Sequence, residues 1–285
     1  MSSEESSAIG AQEQCERLVA LIRSMGTRVV VAFSGGVDSA VVASAAYRAL
    51  GSNAVAWTGI GAAVPESDRL AAVDVARAIG IEHVMVPTDE MSRDGYVANG
   101  PDRCYHCKTT LYSSIAAWSR ERSRGLILSG TNAEDLGDYR PGLKAAEEWG
   151  VRAPLAELGY GKGEVRAIAR EWGISVASKP ASPCLASRIA YGQVVTLGRL
   201  NQVQAMERWL AEEGFRDVRA RLHGEQLLRL EIHVDEFPRV LQEGVRDRVV
   251  GKALGLGFRY VTMDLQGRSS GSMNRGIVKQ EQGKG

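Results

Sequence analysis

Residues 28–39 read Arg28-Val-Val-Val-Ala-Phe33 followed by Ser34-Gly-Gly-Val-Asp-Ser39, and this stretch decides the fold. The first six residues are apolar, β-branched and bounded by glycine, the pattern of a short strand buried on both faces. An Ala/Val-rich run to Leu50 follows with helical character. Strand, glycine turn and helix in that order open a parallel α/β sheet. Two glycines at the turn let consecutive backbone N–H groups face an anion, Ser34 and Ser39 add hydroxyl donors, and the helix N-terminus adds positive potential. The residues predict a phosphate site at Ser34, Gly35, Gly36, Asp38 and Ser39, with Asp38 reaching phosphate through Mg²⁺. The spacing matches neither GxxxxGK[ST] nor GxGxxG.

Working outward, residues 12–25 carry apolar positions at helical spacing (Leu18, Val19, Ile22) and stop at Gly26. Downstream, Asn53–Ile60 reads as a strand, Glu66–Ile79 as a helix ended by Gly80, and His83–Val86 as a strand. Lys108–Arg122 then reads as a helix and Gly125–Ser129 as a strand. This alternation predicts a parallel sheet with helices on both faces over residues 1–180. From Leu197 the style changes to a helix over 197–213, strands at Asp217–His223 and Leu227–Val234, a helix at Glu236–Leu254 and a strand at Phe258–Leu265. That predicts a smaller α+β domain with an antiparallel component over 181–275, and a disordered tail at 276–285.

Composition narrows the function. At 285 residues the chain is long enough for roughly two domains. Lys plus Arg is 35 and Asp plus Glu is 34, a net charge of +1, which argues against a nucleic-acid partner because duplex affinity rests on neutralising many phosphates. No leader-like or membrane-length apolar run occurs, so a soluble cytoplasmic protein without a membrane partner is expected. In a reducing compartment the four cysteines, Cys15, Cys104, Cys107 and Cys184, read as buried, metal-binding or reactive. Cys15 reads as structural, His83 as a satisfied core histidine and the five tryptophans as packing.

Several motifs carry a family resemblance. Ser-Gly-Gly-Val-Asp-Ser after an apolar strand resembles the PP-loop of the ATP pyrophosphatase superfamily, whose members adenylate an acceptor oxygen and release pyrophosphate. Ser129-Gly-Thr-Asn-Ala-Glu-Asp135, Asp138–Gly142, Ala153–Leu155 and Lys162–Arg166 resemble its nucleotide-side segments, which adds Gly130, Thr131 and Asn132 to the ATP site. Lys179-Pro-Ala-Ser-Pro-Cys-Leu-Ala-Ser-Arg188, with Tyr260–Gly267 and Ser270–Met273, resembles the LarE family of ATP-dependent sacrificial sulfur transferases that help build the nickel-pincer cofactor of lactate racemase. The resemblance spans residues 15–275. It implies ATP and Mg²⁺ as cofactors, a small nucleotide substrate and a homo-oligomer, with a hexamer as one form.

In that family the matching cysteine, Cys184 here, supplies the sulfur. The implied substrate is a pyridinium mononucleotide with two carboxylates. A carboxylate attacks ATP to give an acyl-adenylate, the Cys184 thiolate attacks its carbonyl, and cleavage of the Cβ–S bond leaves a thiocarboxylate and dehydroalanine. The run Arg103-Cys104-Tyr-His-Cys107 opens a second route, in which Cys104, Cys107 and Cys184 hold a [4Fe–4S] cluster with one open iron for an exogenous sulfide. A zinc site, a redox pair and two packed cysteines also stay open; His106 lies between the two cysteines and is badly placed as a zinc ligand.

Period-two alternation puts Arg219, Arg221 and His223 on one side of their strand and Arg229, Glu231 and His233 on one side of the next. If the strands pair, this is one cationic face that suits phosphate or carboxylate. Arg219 and Arg221 are the substrate-binding candidates there, with Ser187, Arg188 and Arg268 beside the chemistry and Arg188 also counted with Cys184 and Asp38 as catalytic. The bland alternative is a solvated sheet face. A tRNA-thiolating enzyme and a noncatalytic adenine-nucleotide sensor are the competing functions.

Overall fold

The structure is a computed structural model that describes residues 10–122, 125–137, 140–177, 183–269 and 272–274; the tail predicted at 276–285 lies outside the described residues. The chain divides into two units. Residues 1–90 and 104–182 make the first; residues 91–103 and 183–285 make the second.

In the first unit, α1 (Ala11–Met25) precedes β1 (Val29–Ala32), α2 (Val37–Leu50), β2 (Ala54–Ile60), α3 (Glu66–Ile79) and β3 (Glu82–Pro87). After the excursion through residues 91–103 come α4 (Arg103–Glu121), β4 (Leu126–Leu128), α5 (Pro141–Glu148) and α6 (Lys162–Glu171). The four strands form a parallel sheet in the order β3-β2-β1-β4. Successive β1 side chains alternate faces. Val29 and Val31 join Leu18, Ile22, Val41 and Ile168 from α1, α2 and α6, whereas Val30 joins Trp57, Tyr112, Ile115 and Ala145 on the side of α4 and α5. Val29, Val30 and Val31 are fully buried, each stabilising by about 1.5–3 kcal/mol. The result is the parallel sheet with helices on both faces that the sequence predicts, and its central strand runs straight into the glycine loop.

The second unit holds α7 (Leu197–Glu212), β5 (Arg219–His223), β6 (Leu227–Glu231), α8 (Glu243–Gly255) and β7 (Tyr260–Met263). β5 pairs antiparallel with β6, and β6 pairs parallel with β7. Ala220, Leu222, Leu228 and Leu230 are buried with Leu200, Val203 and Met206 of α7, which packs on β5. The helix expected over 236–254 is broken. Phe237–Val240 is a short helical turn, Gln242 is extended, and α8 restarts after it, so that Val240 is buried with the first piece and Val249 and Ala253 with the second.

Candidate active site

The glycine loop is built by its own hydroxyls. Ser34 N–H donates to Ser39 Oγ at 3.2 Å, Ser39 Oγ donates to Gly36 O at 3.0 Å, and the two serine hydroxyls lie 3.2 Å apart. Gly35 has φ +73°, a left-handed conformation that side chains disfavour. α2 starts after Gly36 with no side-chain cap, which leaves the positive end of its dipole available to an anion. Below the loop, Thr58 Oγ1 donates to Phe33 O at 2.8 Å and lies 2.8 Å from His83 Nε2. The hydroxyl has one proton, so His83 must donate from Nε2. Burial pushes the His83 pKa down, which keeps the ring neutral.

The β4 side closes on the same loop. A Cβ at Gly130 would stand 2.7 Å from Ser39 N and 2.9 Å from Asp38 C, so only glycine admits this approach. Asn132 Nδ2 donates to Asp38 Oδ1 at 3.2 Å, and Ser129 Oγ donates to Thr131 Oγ1 at 3.1 Å. Burial pushes the Asp38 carboxyl up, the Asn132 hydrogen bond opposes this, and the nearby Asp135 charge reinforces it. A half-buried carboxylate held by one oxygen beside an anion loop is suitable oxygen chemistry for Mg²⁺. The structure therefore brings Ser34, Gly35, Gly36, Asp38, Ser39, Gly130 and Asn132 together. A cavity of about 300 Å³ lined by Tyr47, Arg48, Val75, Ile79, Trp172 and Ile174 lies at the far end of α2 and includes none of them.

In the second unit Cys184 precedes the 3₁₀ turn Leu185–Arg188 and is half-buried. Arg188, 1% exposed, grips Glu207 with Nε at 2.9 Å and Nη2 at 3.0 Å, while its Nη1 donates to Pro183 O, to Cys184 O at 3.1 Å and to Ser187 Oγ at 3.2 Å. Its guanidinium thus braces the turn that carries Cys184. Arg221 Nη1 donates to Ser187 O at 3.0 Å.

The polar faces of β5 and β6 do meet, with Arg219 opposite Glu231 and Arg221 opposite Arg229, but the centre of the face is buried and not solvated: Arg219, Arg221 and Glu231 are buried, His223 and Arg229 half-buried, and His233 exposed. Glu231, 0% exposed, accepts from Arg221 Nη2 at 2.9 Å and from Ser272 Oγ at 2.5 Å, and pairs with Arg229 at 3.1 Å. Burial pushes the Glu231 carboxyl up, yet the hydrogen bonds from Arg221 and Ser272 and both arginine charges outweigh it, and the pKa lies below the usual range. Arg229 also pairs with Asp264, and Arg219 and Arg268 share Asp217. Burial, followed by the Arg188 charge, holds the Arg219 pKa down. Among the described residues the Nε–H groups of Arg219 and Arg221 are buried without a hydrogen-bond partner, and Arg268 Nε lies 3.4 Å from Asp217 Oδ2. Sequence reasoning missed the counter-ions Glu207 and Asp264; the alternation of the two strands already placed Asp217 and Glu231 beside the arginines.

Cys104 and Cys107 stand one turn apart at the start of α4, the first exposed and the second half-buried, and all four cysteines are free thiols. Cys15 is buried in α1, and burial pushes its thiol pKa up. Two thiols on a helix turn are soft ligands of the right chemistry for iron, but a cluster needs at least a third. Among the described residues no three His, Cys, Asp or Glu side chains are grouped to hold a metal. No helix among the described residues is long and apolar enough to cross a membrane.

A family model described as NAD synthase matches residues 11–102, the part of the chain that contains the glycine loop and its flanking strands. Loop, sheet and match define the class: an α/β enzyme of the PP-loop type that uses ATP. The chain is 36% identical over 263 residues to pyridinium-3,5-bisthiocarboxylic acid mononucleotide synthase of Lactiplantibacillus plantarum, which covers 92% of this chain and 94% of that protein. It therefore belongs to the family of that synthase, the LarE family of adenylating sulfur transferases. An uncharacterised protein of Synechocystis is 40% identical over 252 residues, 88% of this chain and 94% of its own length. A tRNA-specific 2-thiouridylase of Xanthobacter autotrophicus is 31% identical over 210 residues, 59% of this chain and 54% of its own.

Proposed function

We propose that the protein binds Mg²⁺-ATP at Ser34, Gly35, Gly36, Asp38, Ser39, Gly130, Thr131 and Asn132. There it adenylates a carboxylate of a pyridinium dicarboxylate mononucleotide and releases pyrophosphate. The activated carboxyl is then converted to a thiocarboxylate for the nickel-pincer nucleotide, with Cys184 as the sulfur-bearing residue. Adenylation replaces a poor leaving oxygen by AMP. The Cys184 thiolate adds to the acyl carbon and expels AMP, and loss of the cysteine α-proton then breaks Cβ–S, leaving dehydroalanine on the chain and the thiocarboxylate on the substrate. Arg219, Arg221 and Arg268 hold the substrate's anionic groups, and Ser187 and Arg188 shape the turn beside them. The enzyme works in the cytoplasm as a homo-oligomer on this small molecule.

The observation that carries this reading is the arginine cluster tied to the Cys184 turn: Arg221 donates to Ser187 O at 3.0 Å, Arg188 donates to Cys184 O at 3.1 Å, and Arg219 and Arg221 each keep an Nε–H without a hydrogen-bond partner among the described residues. Cations braced against a thiol-bearing turn suit an anionic substrate, and neither a nucleotide sensor nor a tRNA-binding surface requires them. The test is anaerobic purification with iron and labile-sulfide analysis, followed by intact mass after one turnover with ATP and the dicarboxylate nucleotide. Loss of the mass of hydrogen sulfide at Cys184 is the expected result. Bound iron that requires Cys104, Cys107 and Cys184, with Cys184 unchanged, replaces the sacrificial route by cluster ligation. An unchanged protein without iron removes the sulfur-transfer reading.

A further inference from the structure

A 3₁₀ turn of four residues has few internal hydrogen bonds with which to hold a reactive side chain still. In the turn after Cys184, Ser187 N–H donates to Cys184 O at 3.0 Å and Ile189 N–H to Ala186 O at 3.2 Å. Ser187 Oγ adds a bond to Cys184 O at 2.7 Å, and cations hold the other carbonyls. Arg188 takes the carbonyls of Pro183 and Cys184, Arg221 takes that of Ser187, and Arg103 takes that of Ala186 with Nη1 at 2.9 Å.

Arg103 and Asn99 belong to the segment 91–103, which the second unit takes from the middle of the first. Arg103 is 3% exposed, and its guanidinium lies 5.6 Å from the Tyr191 ring centroid. Asn99 is fully buried with φ +56°. Its Nδ2 donates to Ile189 O at 3.2 Å and to Ala190 O at 2.9 Å, and its Oδ1 accepts from Arg103 Nη1 at 2.5 Å. The backbone is stitched as well, Gly192 N–H to Asn99 O at 3.0 Å and Val195 N–H to Val97 O at 2.8 Å.

Burying a guanidinium is costly, and a non-glycine residue in the left-handed region is strained. Both occur here in contacts with main-chain carbonyls of residues 186–190, so what they determine is the path of the backbone immediately after Cys184. We infer that Arg103 and Asn99 are positioning residues for sulfur transfer: acting through the backbone of residues 186–190, they hold Cys184 in the geometry from which its sulfur meets the activated carboxyl carbon. The inference rests on the reading that Cys184 handles the sulfur. Reacting atoms must approach within about 3–3.5 Å along a defined direction, and a shift of about 1 Å costs about 100-fold. Adenylation draws on the loop residues of the first unit and does not use Arg103, so the two half-reactions should separate.

The experiment uses the full chain with Arg103→Met, Arg103→Lys and Asn99→Gly, the last keeping the left-handed backbone while removing the side-chain bonds. Pyrophosphate release and single-turnover thiocarboxylate formation are measured with ATP and the pyridinium dicarboxylate mononucleotide, and hydrogen exchange is followed over residues 183–195 and 28–45. Expected are pyrophosphate release and KM for ATP within about twofold of the parent, with thiocarboxylate formation down about 10- to 100-fold. Exchange protection should be lost over 183–195 only. Arg103→Lys, which supplies one compact donor in place of a fork, should fall between parent and Arg103→Met. Undiminished thiocarboxylate formation in Arg103→Met overturns the inference, as does an equal fall in both half-reactions with protection lost everywhere. If Arg103→Met does not fold, Asn99→Gly is judged by the same criteria. A parent protein that forms no thiocarboxylate overturns the functional reading instead, and the exchange pattern still reports whether the two residues hold the turn.

Discussion

The two adjacent glycines of the phosphate loop have different jobs, and alanine should tell them apart. At Gly35 the backbone has φ +73°, and a Cβ would lie 2.7 Å from Ala72 Cα and 3.0 Å from Ala72 N, both backbone atoms of α3. Left-handed geometry costs an L-residue about 1–2 kcal/mol, and forcing a methyl into packed structure adds about 1–3 kcal/mol. Together that is about 2–5 kcal/mol. If the loop yields and α3 does not, the cost falls on the phosphate-binding conformation, and at about 1.4 kcal/mol per tenfold it weakens ATP binding about 30- to 4,000-fold. Gly36 has φ −77°, and a Cβ there meets only Ser34 Oγ at 3.4 Å, an ordinary contact that should change stability by less than about 1 kcal/mol. Pyrophosphate release against ATP concentration, with thermal unfolding alongside, measures both variants. If Gly35→Ala and Gly36→Ala agree within twofold in KM for ATP and also share a Tm, the left-handed turn is not what shapes the site.

Three further outcomes follow from the charges. Ser34→Ala combined with Asp38→Asn should abolish ATP-dependent pyrophosphate release while the circular dichroism spectrum and cooperative unfolding persist; normal release would sink the PP-loop assignment of these residues. Asn132→Ala removes a hydrogen bond that lowers the Asp38 pKa, so the acid limb of pyrophosphate release should move to higher pH, and an unmoved limb would disconnect Asp38 from that titration. Glu231→Gln leaves Arg221 and Arg229 without their buried carboxylate and should cost about 3–5 kcal/mol in urea unfolding; a loss below about 1 kcal/mol would refute the claim that this pair is held together by charge. Because the folded pKa of Glu231 lies below its unfolded value, its stabilisation is present above the unfolded carboxyl pKa of about 4.3 and disappears as pH falls through the folded value. The Glu231→Gln deficit should therefore shrink in acid.

What was legible in the sequence is what local patterning controls. Val29 to Val31 are continuous apolar residues between glycines, and they form the central strand; the hydroxyl and glycine spacing of 34–39 already implied an anion loop, and the structure adds the Ser34–Ser39 contact that shapes it. The alternation of Arg219, Arg221 and Arg229 gave the right shared face. Its burial was not legible, because Glu207 and Asp264 come from separate elements, and a charge run has the same pattern whether water or carboxylates face it. The role of Asn99 was equally hidden, since Ile189 lies 90 residues away in the chain and no local signal marks a side chain whose partners are distant carbonyls. The break at Gln242 carries no clear local mark: Pro238 stands in the first turn of the short helix, where proline is tolerated, and Gly244 lies beyond the break.

The loan of residues 91–103 to the second unit also imposes an order on synthesis. When that segment leaves the ribosome, the carbonyls of Ala186, Ile189 and Ala190 that it will bind do not yet exist. From Arg103 to Ala186 is 186 − 103 = 83 residues, about 4–17 s of translation at about 5–20 residues per second. During that interval Asn99 and Arg103 lack the carbonyl partners they have in the folded chain. A gene cut between the two units would strand the segment on the wrong fragment, so the protein is two units in space and a single unit of inheritance.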